Sequence, residues 1–287
     1  MKNYTKKAHR LQNPEKGAPE SCIVIDSPHS GHVAPPDFDH APSYKQLMRV
    51  SDYAVHRLVA FAPKNGIPLL KALQLRVYLD LNRDDDPEIK AGNMFRGHYS
   101  VRNPVPLYNK EPSLKARFNR IAKYYRPYYA LLDKAIGKAQ KRHGAAVHFD
   151  MHSMRSLTTP RGGGPEVPNM YDFEIGTRDG KTCDDAIVKK FCTLLASKGY
   201  RVGLNEKFKG RHLIETTGNP AQNRHSIQIE INRGMYMDED TLKLRPGFLQ
   251  VKRDLEATFN EFNTWMLQSS GYCHKPKQAK GHKPPCP

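Results

Sequence analysis

Two short apolar runs, Cys22-Ile-Val-Ile-Asp-Ser-Pro-His29 and Ala145-Ala-Val-His-Phe-Asp-Met-His-Ser153, each end in a histidine set among small polar residues. Runs of this length, rich in β-branched residues, read as strands buried in a sheet. Open α/β sheets build their metal and substrate sites where such strands deliver side chains at their C-terminal edge. The two runs lie more than one hundred residues apart, so a site shared between them would tie together two distant parts of the chain.

The rest of the chain supports a sheet of that kind. Further strand candidates are 76–81, 200–204 and 227–231, alongside 22–26 and 145–150. Helical spacing of apolar residues separates them. It runs over 44–62 (Leu47, Val50, Ala54, Leu58, Phe61), 113–141 (Leu114, Phe118, Ile121, Tyr125, Leu132, Ile136) and 184–198 (Ile187, Val188, Phe191, Leu195). A last helix is predicted over about 246–267, with Leu249, Leu255, Phe259, Phe262 and Met266. Pro127 predicts a kink or a second start in the second of these, and Gly199 a stop after the third. Strands alternating with helices predict an α/β fold, a single domain with a mixed, mostly parallel sheet flanked by helices. The domain is expected over 21–268, between a loose polar basic segment at 1–20 and a basic Pro/Lys-rich tail at 269–287. Long polar loops are expected at 84–112 and 154–180, the second containing Gly162-Gly163-Gly164.

Charge narrows the partners. Among 287 residues, 46 Lys and Arg face 29 Asp and Glu, a formal net charge of +17. The two ends, 1–16 and 274–287, supply nearly half of it, which leaves the body moderately basic. No basic stripe alternates with aromatics as a nucleic-acid module would require, so an anionic small substrate accounts for the charge better than DNA or RNA does. Five cysteines without a CxxC pair argue against a disulfide framework and a structural zinc module. Neither a signal peptide nor a membrane-length apolar stretch is present, which predicts a cytoplasmic protein.

Four segments carry groups capable of chemistry. In Ser27-Pro28-His29-Ser30-Gly31, proline and glycine flank His29 in a tight turn, although taken alone a turn histidine without a role is an equal reading. In Asp150-Met151-His152 the carboxylate and the imidazole share a strand face, and a neighbouring carboxylate is a common partner for a ligating histidine. His148, deeper on the same face, reads as a core histidine. Asp80-Leu81-Asn82-Arg83 closes the expected strand 76–81 with an amide and a guanidinium suited to gripping a carboxylate, or to pairing with Asp84-Asp85-Asp86. In Ile227–Arg233, alternation places Gln228, Glu230 and Asn232 on one face. A carboxylate such as Glu230 inside an apolar strand is costly to bury unless it is paired or catalytic.

The ordered set Ser-Pro-His-Ser-Gly, Asp-Leu-Asn-Arg, Asp-Met-His-Ser-Met and Gln-Ile-Glu-Ile-Asn-Arg-Gly-Met-Tyr-Met-Asp-Glu resembles the N-formylglutamate amidohydrolase family over roughly residues 20–267. That family is similar in fold to zinc carboxypeptidases (phosphorylase/hydrolase-like) and to the aspartoacylase and succinylglutamate desuccinylase group. The resemblance implies one Zn2+ held by His29, His152 and an acidic residue. In the carboxypeptidase-like relatives the acid lies three residues after the first histidine, where this chain has His32. Asp52 is the favoured acid, with Asp26 and His32 as competitors. Glu230 matches the general base, Asn82 and Arg83 match ligands of the substrate carboxylate, and Asp80 and Asp150 are placed behind the metal ligands. Arg155, Arg233 and Arg76 are further candidates for carboxylate or oxyanion contacts.

The implied activity is hydrolysis of a linear amide C–N bond in a small anionic N-acyl amino acid, such as N-formyl-L-glutamate cleaved to formate and L-glutamate in amino-acid catabolism. A carboxypeptidase acting on peptides is the alternative, and a basic nucleic-acid-binding protein the third. Residues 205–211, Asn-Glu-Lys-Phe-Lys-Gly-Arg, are more charged than the Pro-Tyr and Gly-Gly pattern of the family.

Overall fold

The structure, a computed structural model, describes residues 8–85, 106–160, 163–269 and 271–273. The strands are β1 (His9–Gln12), β2 (Ile23–Ser27), β3 (Leu69–Ala72), β4 (Ala146–Met154), β5 (Leu157–Thr158), β6 (Val167–Pro168), β7 (Phe173–Gly176), β8 (Val202–Leu204) and β9 (Arg224–Asn232). The α-helices are α1 (Tyr44–Arg49), α2 (Val55–Leu58), α3 (Leu114–Arg120), α4 (Arg126–His143), α5 (Asp185–Ala196), α6 (His212–Thr217) and α7 (Gly247–Gln268). Seven strands form one sheet in the order β1-β3-β2-β4-β9-β7-β8, and β5 and β6 form a separate ribbon. The pairs β3–β2, β2–β4, β4–β9 and β7–β8 are parallel, while β1–β3 and β7–β9 are antiparallel. This is the expected α/β fold with a mixed, mostly parallel sheet.

The two faces of the sheet differ in chemistry. Val147, Phe149 and Met151 of β4 and Ile227, Ile229 and Ile231 of β9 point to one side. There they pack with Ile187 and Phe191 of α5 and with Phe259 and Phe262 of α7. Alternation turns His148, Asp150 and His152, with Ser226, Gln228 and Glu230, to the other side. That side is closed by a second apolar cluster containing Val24, Leu70 and the α4 residues Tyr128, Leu132 and Ile136.

Several expectations change. Residues 76–81 form a buried turn, with the Tyr78 amide donating to Leu75 O at 3.0 Å, and the sheet instead takes Leu69–Ala72. An apolar turn that packs Tyr78 against Phe38 and Tyr124 has the same composition as a strand. The helix expected over 44–62 breaks into α1, α2 and a 3₁₀ turn at Ala62–Asn65. At the first break the Asp52 amide donates to His29 O at 3.0 Å, and Ala54 adopts a left-handed backbone (φ 63°).

The long helix runs from Leu114 to His143 but is interrupted by a π-turn at Ile121–Tyr125, just before Pro127. A proline there removes an amide donor and crowds the preceding turn. Leu114 and Phe118 are half exposed, and so is Leu249, whose neighbours Phe248 and Val251 enter the core. In the loose segment expected at 1–20, His9–Gln12 joins the sheet edge, and the loop expected at 154–180 contains β7. Most of the loop at 84–112, residues 161–162 and nearly all of the tail at 269–287 lie outside the described residues.

Candidate metal centre and active site

The site forms at the C-terminal ends of β2, β4 and β9. Parallel register sets Asp26 beside Asp150, Asp150 beside Gln228, and His152 beside Glu230. Just past β2 the chain turns through His29, braced by the Ser27 hydroxyl donating to Ser30 Oγ at 2.8 Å. Gly31 lets this turn press on its neighbour: a Cβ there would lie 2.0 Å from Gln74 O. The chain after α1 then brings in Asp52 through its amide bond to His29 O.

Three side chains converge and are almost fully buried, with 2% exposure at His29, 1% at Asp52 and 3% at His152. Asp52 Oδ2 lies 2.9 Å from His152 Nδ1 and 3.3 Å from His29 Nδ1, and one donor atom from each residue fits within 4.8 Å. Each imidazole directs its other nitrogen at a second carboxylate. His29 Nε2 is 2.6 Å from Asp80 Oδ1, and His152 Nε2 is 2.8 Å from Asp150 Oδ1. Carboxylates placed there favour the tautomer that leaves both Nδ1 lone pairs facing Asp52. His29 Nδ1 is buried and has no hydrogen-bond partner. Two imidazole nitrogens and a carboxylate oxygen suit a catalytic zinc with an open position, and the orphaned Nδ1 is what a metal ligand leaves when its ion is absent.

Without a metal ion the same carboxylates favour a proton on the His152 imidazole, a proton that an incoming ion would displace. Burial penalises the Asp52 carboxylate, but the adjoining imidazoles of His152 and His29, when they carry the proton, outweigh it and hold its pKa well below the usual carboxylate range. Burial likewise opposes charging His152, yet Asp150 and Asp52 win and raise its pKa. Glu230 goes the other way. Burial pushes its carboxyl up to about 8, with Asp52 adding to the push and His152 and Arg76 opposing it. Gln228 Nε2 donates to Glu230 Oε1 at 3.1 Å.

A cavity of about 500 Å³ opens over these groups. Asn82 and Arg83 line it, as do Glu230, Gln228 and Arg76. Asn82 is held by its own bonds: Oδ1 accepts from the Leu213 amide at 2.8 Å, and Nδ2 donates to Asp150 Oδ2 and Gln228 Oε1 at 3.3 Å. Arg76 donates to Asp80 Oδ2 at 3.1 Å, and Arg83 Nε lies 3.8 Å from the same oxygen.

Two arginines expected at the substrate lie elsewhere. Arg155 is exposed and paired with Glu166 at 2.7 Å, because the chain leaves the sheet after Met154. Arg233 is buried behind Asp52. Its guanidinium donates to Ser153 Oγ at 3.0 Å, Arg49 O at 2.8 Å, Ser51 O at 2.9 Å and Asp52 Oδ1 at 3.2 Å. Asp26 and His148 pair with each other at 2.9 Å, one pleat below the site, and Tyr128 donates to Asp26 at 2.7 Å. His32 faces a different cavity.

Residues 206–211, which the sequence marks as departing from the family pattern, form the outer wall of this cavity together with Arg178, which the sequence did not single out. Glu174 Oε1 accepts from the Lys207 and Phe208 amides and anchors that wall to β7. Gly176 allows the close approach, since a Cβ there would lie 2.6 Å from Phe208 O and Gly210 N.

Comparison with known proteins identifies the fold and the family. A solved structure of an N-formylglutamate amidohydrolase from Ralstonia eutropha superposes with a TM-score of 0.81 at 33% identity, covering 90% of this chain and 98% of the other. A gene product of Agrobacterium tumefaciens shares the fold with a TM-score of 0.70 at 16% identity, covering 90% and 96% of the two chains. An N-formylglutamate deformylase of Pseudomonas aeruginosa is 29% identical over 228 residues, covering 76% of this chain and 82% of that protein. The Pseudomonas putida deformylase is 27% identical over 232 residues, with the same coverage. The pattern that defines the family matches residues 21–237, a span holding every metal-site and cavity residue named above, and the chain belongs to the N-formylglutamate amidohydrolase family.

Proposed function

We propose that this chain is a zinc-dependent amidohydrolase that cleaves an N-acyl amino acid, with N-formyl-L-glutamate as the leading substrate, to a carboxylate and a free amino acid. The observation that carries the reading is the buried His29–Asp52–His152 cluster with Glu230 beside it in one cavity. Zinc bound there would polarise the amide carbonyl and acidify the attacking water.

The chain's own residues supply the rest. Glu230 takes the proton of the attacking water on its carboxylate and returns it to the departing amine nitrogen. Burial raises the Glu230 pKa above the ordinary carboxylate range, which makes the proton it takes up from water easier to hold until the amine departs. Arg83 and Arg76 flank the cavity floor and offer planar donors to the α-carboxylate of the substrate. Asn82 keeps Asp150 oriented toward His152 while it lines the same floor. Lys207, Lys209 and Arg211 on the outer wall give the mouth a cationic rim that suits a substrate with more than one negative charge.

The test is metal analysis of the purified protein together with an assay of formate release from N-formyl-L-glutamate, on the wild type, His152→Ala and Glu230→Ala. Bound zinc in the wild type and loss of turnover in both variants are expected. Full activity in either variant would overturn the mechanism, and release of C-terminal residues from short peptides without formate release would favour a carboxypeptidase.

A further inference from the structure

A second cavity, of about 460 Å³, is lined by residues that immediately follow two of the three candidate metal ligands: Ser30 after His29, and Tyr53 and Ala54 after Asp52. Its chemistry differs from that of the active site. Four basic side chains line it, His32, Lys45, His56 and Arg57, and among the described residues no carboxylate does. Among the described residues the side chains of His32, Lys45 and His56 make no hydrogen bond or ion pair, and His56 Nδ1 is buried without a partner. Burial holds the His56 pKa down to about 4, with Lys71, His32 and Arg57 adding to the effect. Met48 and Leu242 supply an apolar wall.

A buried polar atom without a partner is costly, and two cations, Lys45 and Arg57, beside a neutral imidazole that can donate an N–H make a place for an anion. We propose that this cavity binds a small carboxylate with an apolar body, an aliphatic or aromatic acid in its anionic form. The carboxylate takes His56 and Lys45, and the body lies against Met48 and Leu242. The apolar wall is what separates this ligand from a bare inorganic anion, which would leave that surface wet. The site also accounts for His32, which stands where related hydrolases have a metal-binding acid but faces this cavity instead.

The probes are benzoate and inorganic phosphate, followed by ligand-observed NMR titration of the full chain. Saturable benzoate binding in the millimolar range or tighter is expected, with phosphate about tenfold weaker. His56→Phe and, separately, the surface variant Lys45→Ala should each weaken benzoate by about fivefold to tenfold. Arg83→Ala, in the active-site cavity, should leave benzoate affinity as it is. Absence of saturable benzoate binding, phosphate binding as tight as benzoate, or a loss in Arg83→Ala with none in Lys45→Ala would each overturn the proposal. Because Lys45 is exposed, its variant keeps the test decisive even if His56→Phe fails to fold.

Discussion

Arg233 offers a quantitative test of how the candidate metal centre is held. Its guanidinium is 6% exposed and satisfies four acceptors at once: Ser153 Oγ, the carbonyls of Arg49 and Ser51, and Asp52 Oδ1. Arg233→Met keeps much of the volume and removes every donor. Asp52 then stays ionised and buried with one of its cationic partners gone, a loss of up to about 3–5 kcal/mol when one partner of a buried pair is removed. The two carbonyls each lose a donor, at about 1–3 kcal/mol where no water reaches them. These losses overlap, since relaxation that relieves one relieves the others, so about 4 kcal/mol is the working expectation.

For a chain of this size that corresponds to a fall in Tm of roughly 8–15 °C. Arg233→Lys retains a point charge for Asp52 but cannot reach all four acceptors, and should lose about half as much. Calorimetry of the metal-free protein reads the difference directly. A divalent ion on Asp52 compensates part of the missing charge, so the metal-loaded variant should recover some of the loss. An Arg233→Met variant within about 1 kcal/mol of the wild type would refute the assignment of this residue as the clamp on Asp52.

Two further outcomes are expected. Glu230→Gln should lower formate release by about a hundredfold or more. It should also change the pH dependence of stability. Glu230 is raised from 4.5 to about 8 in the folded protein, so the folded state holds this proton more tightly than the unfolded chain does, and its stability falls as pH rises from about 5 through 8. The glutamine variant of the metal-free protein should lack that decline, and denaturant melts at several pH values would expose an error by showing parallel curves. Gly176→Ala would place a methyl group 2.6 Å from Phe208 O and Gly210 N. The wall at 206–211 should shift outward, raising KM several-fold at a stability cost of about 1–3 kcal/mol, and an unchanged KM would mean that this wall does not touch substrate.

What could be read from the sequence depended on whether one residue type had one structural meaning. Alternation in Ala145–Ser153 and Ile227–Asn232 was legible because a two-residue period leaves a single way to face the core. The turn at His29 was legible because Pro28 and Gly31 flank it. Residues 76–81 were not legible as a turn, because burial demands apolar side chains from a turn as readily as from a strand. Arg233 was placed at the end of β9 by its position, but which way a guanidinium points from a strand end is decided by distant partners, here the backbone of Arg49 and Ser51. The segment 206–211 stood out in the sequence by its charge, but how it closes on the cavity was hidden for the same reason: it depends on Gly176 and Gly210 approaching across more than thirty residues.

The two-faced sheet has a consequence for how this chain can change. The strand that carries His148, Asp150 and His152 toward the site carries Val147, Phe149 and Met151 toward the oily side in the intervening positions. Inserting or deleting one residue within β4 would exchange the two sets, burying imidazoles among phenylalanines and presenting methionine to the cavity. The core thus acts as a proofreader for the candidate site, since any pairing that satisfies the apolar side has already aligned His152 with Glu230. Variation compatible with folding is therefore pushed to the segments that the sheet does not index, and residues 206–211, which wall the cavity, are such a segment.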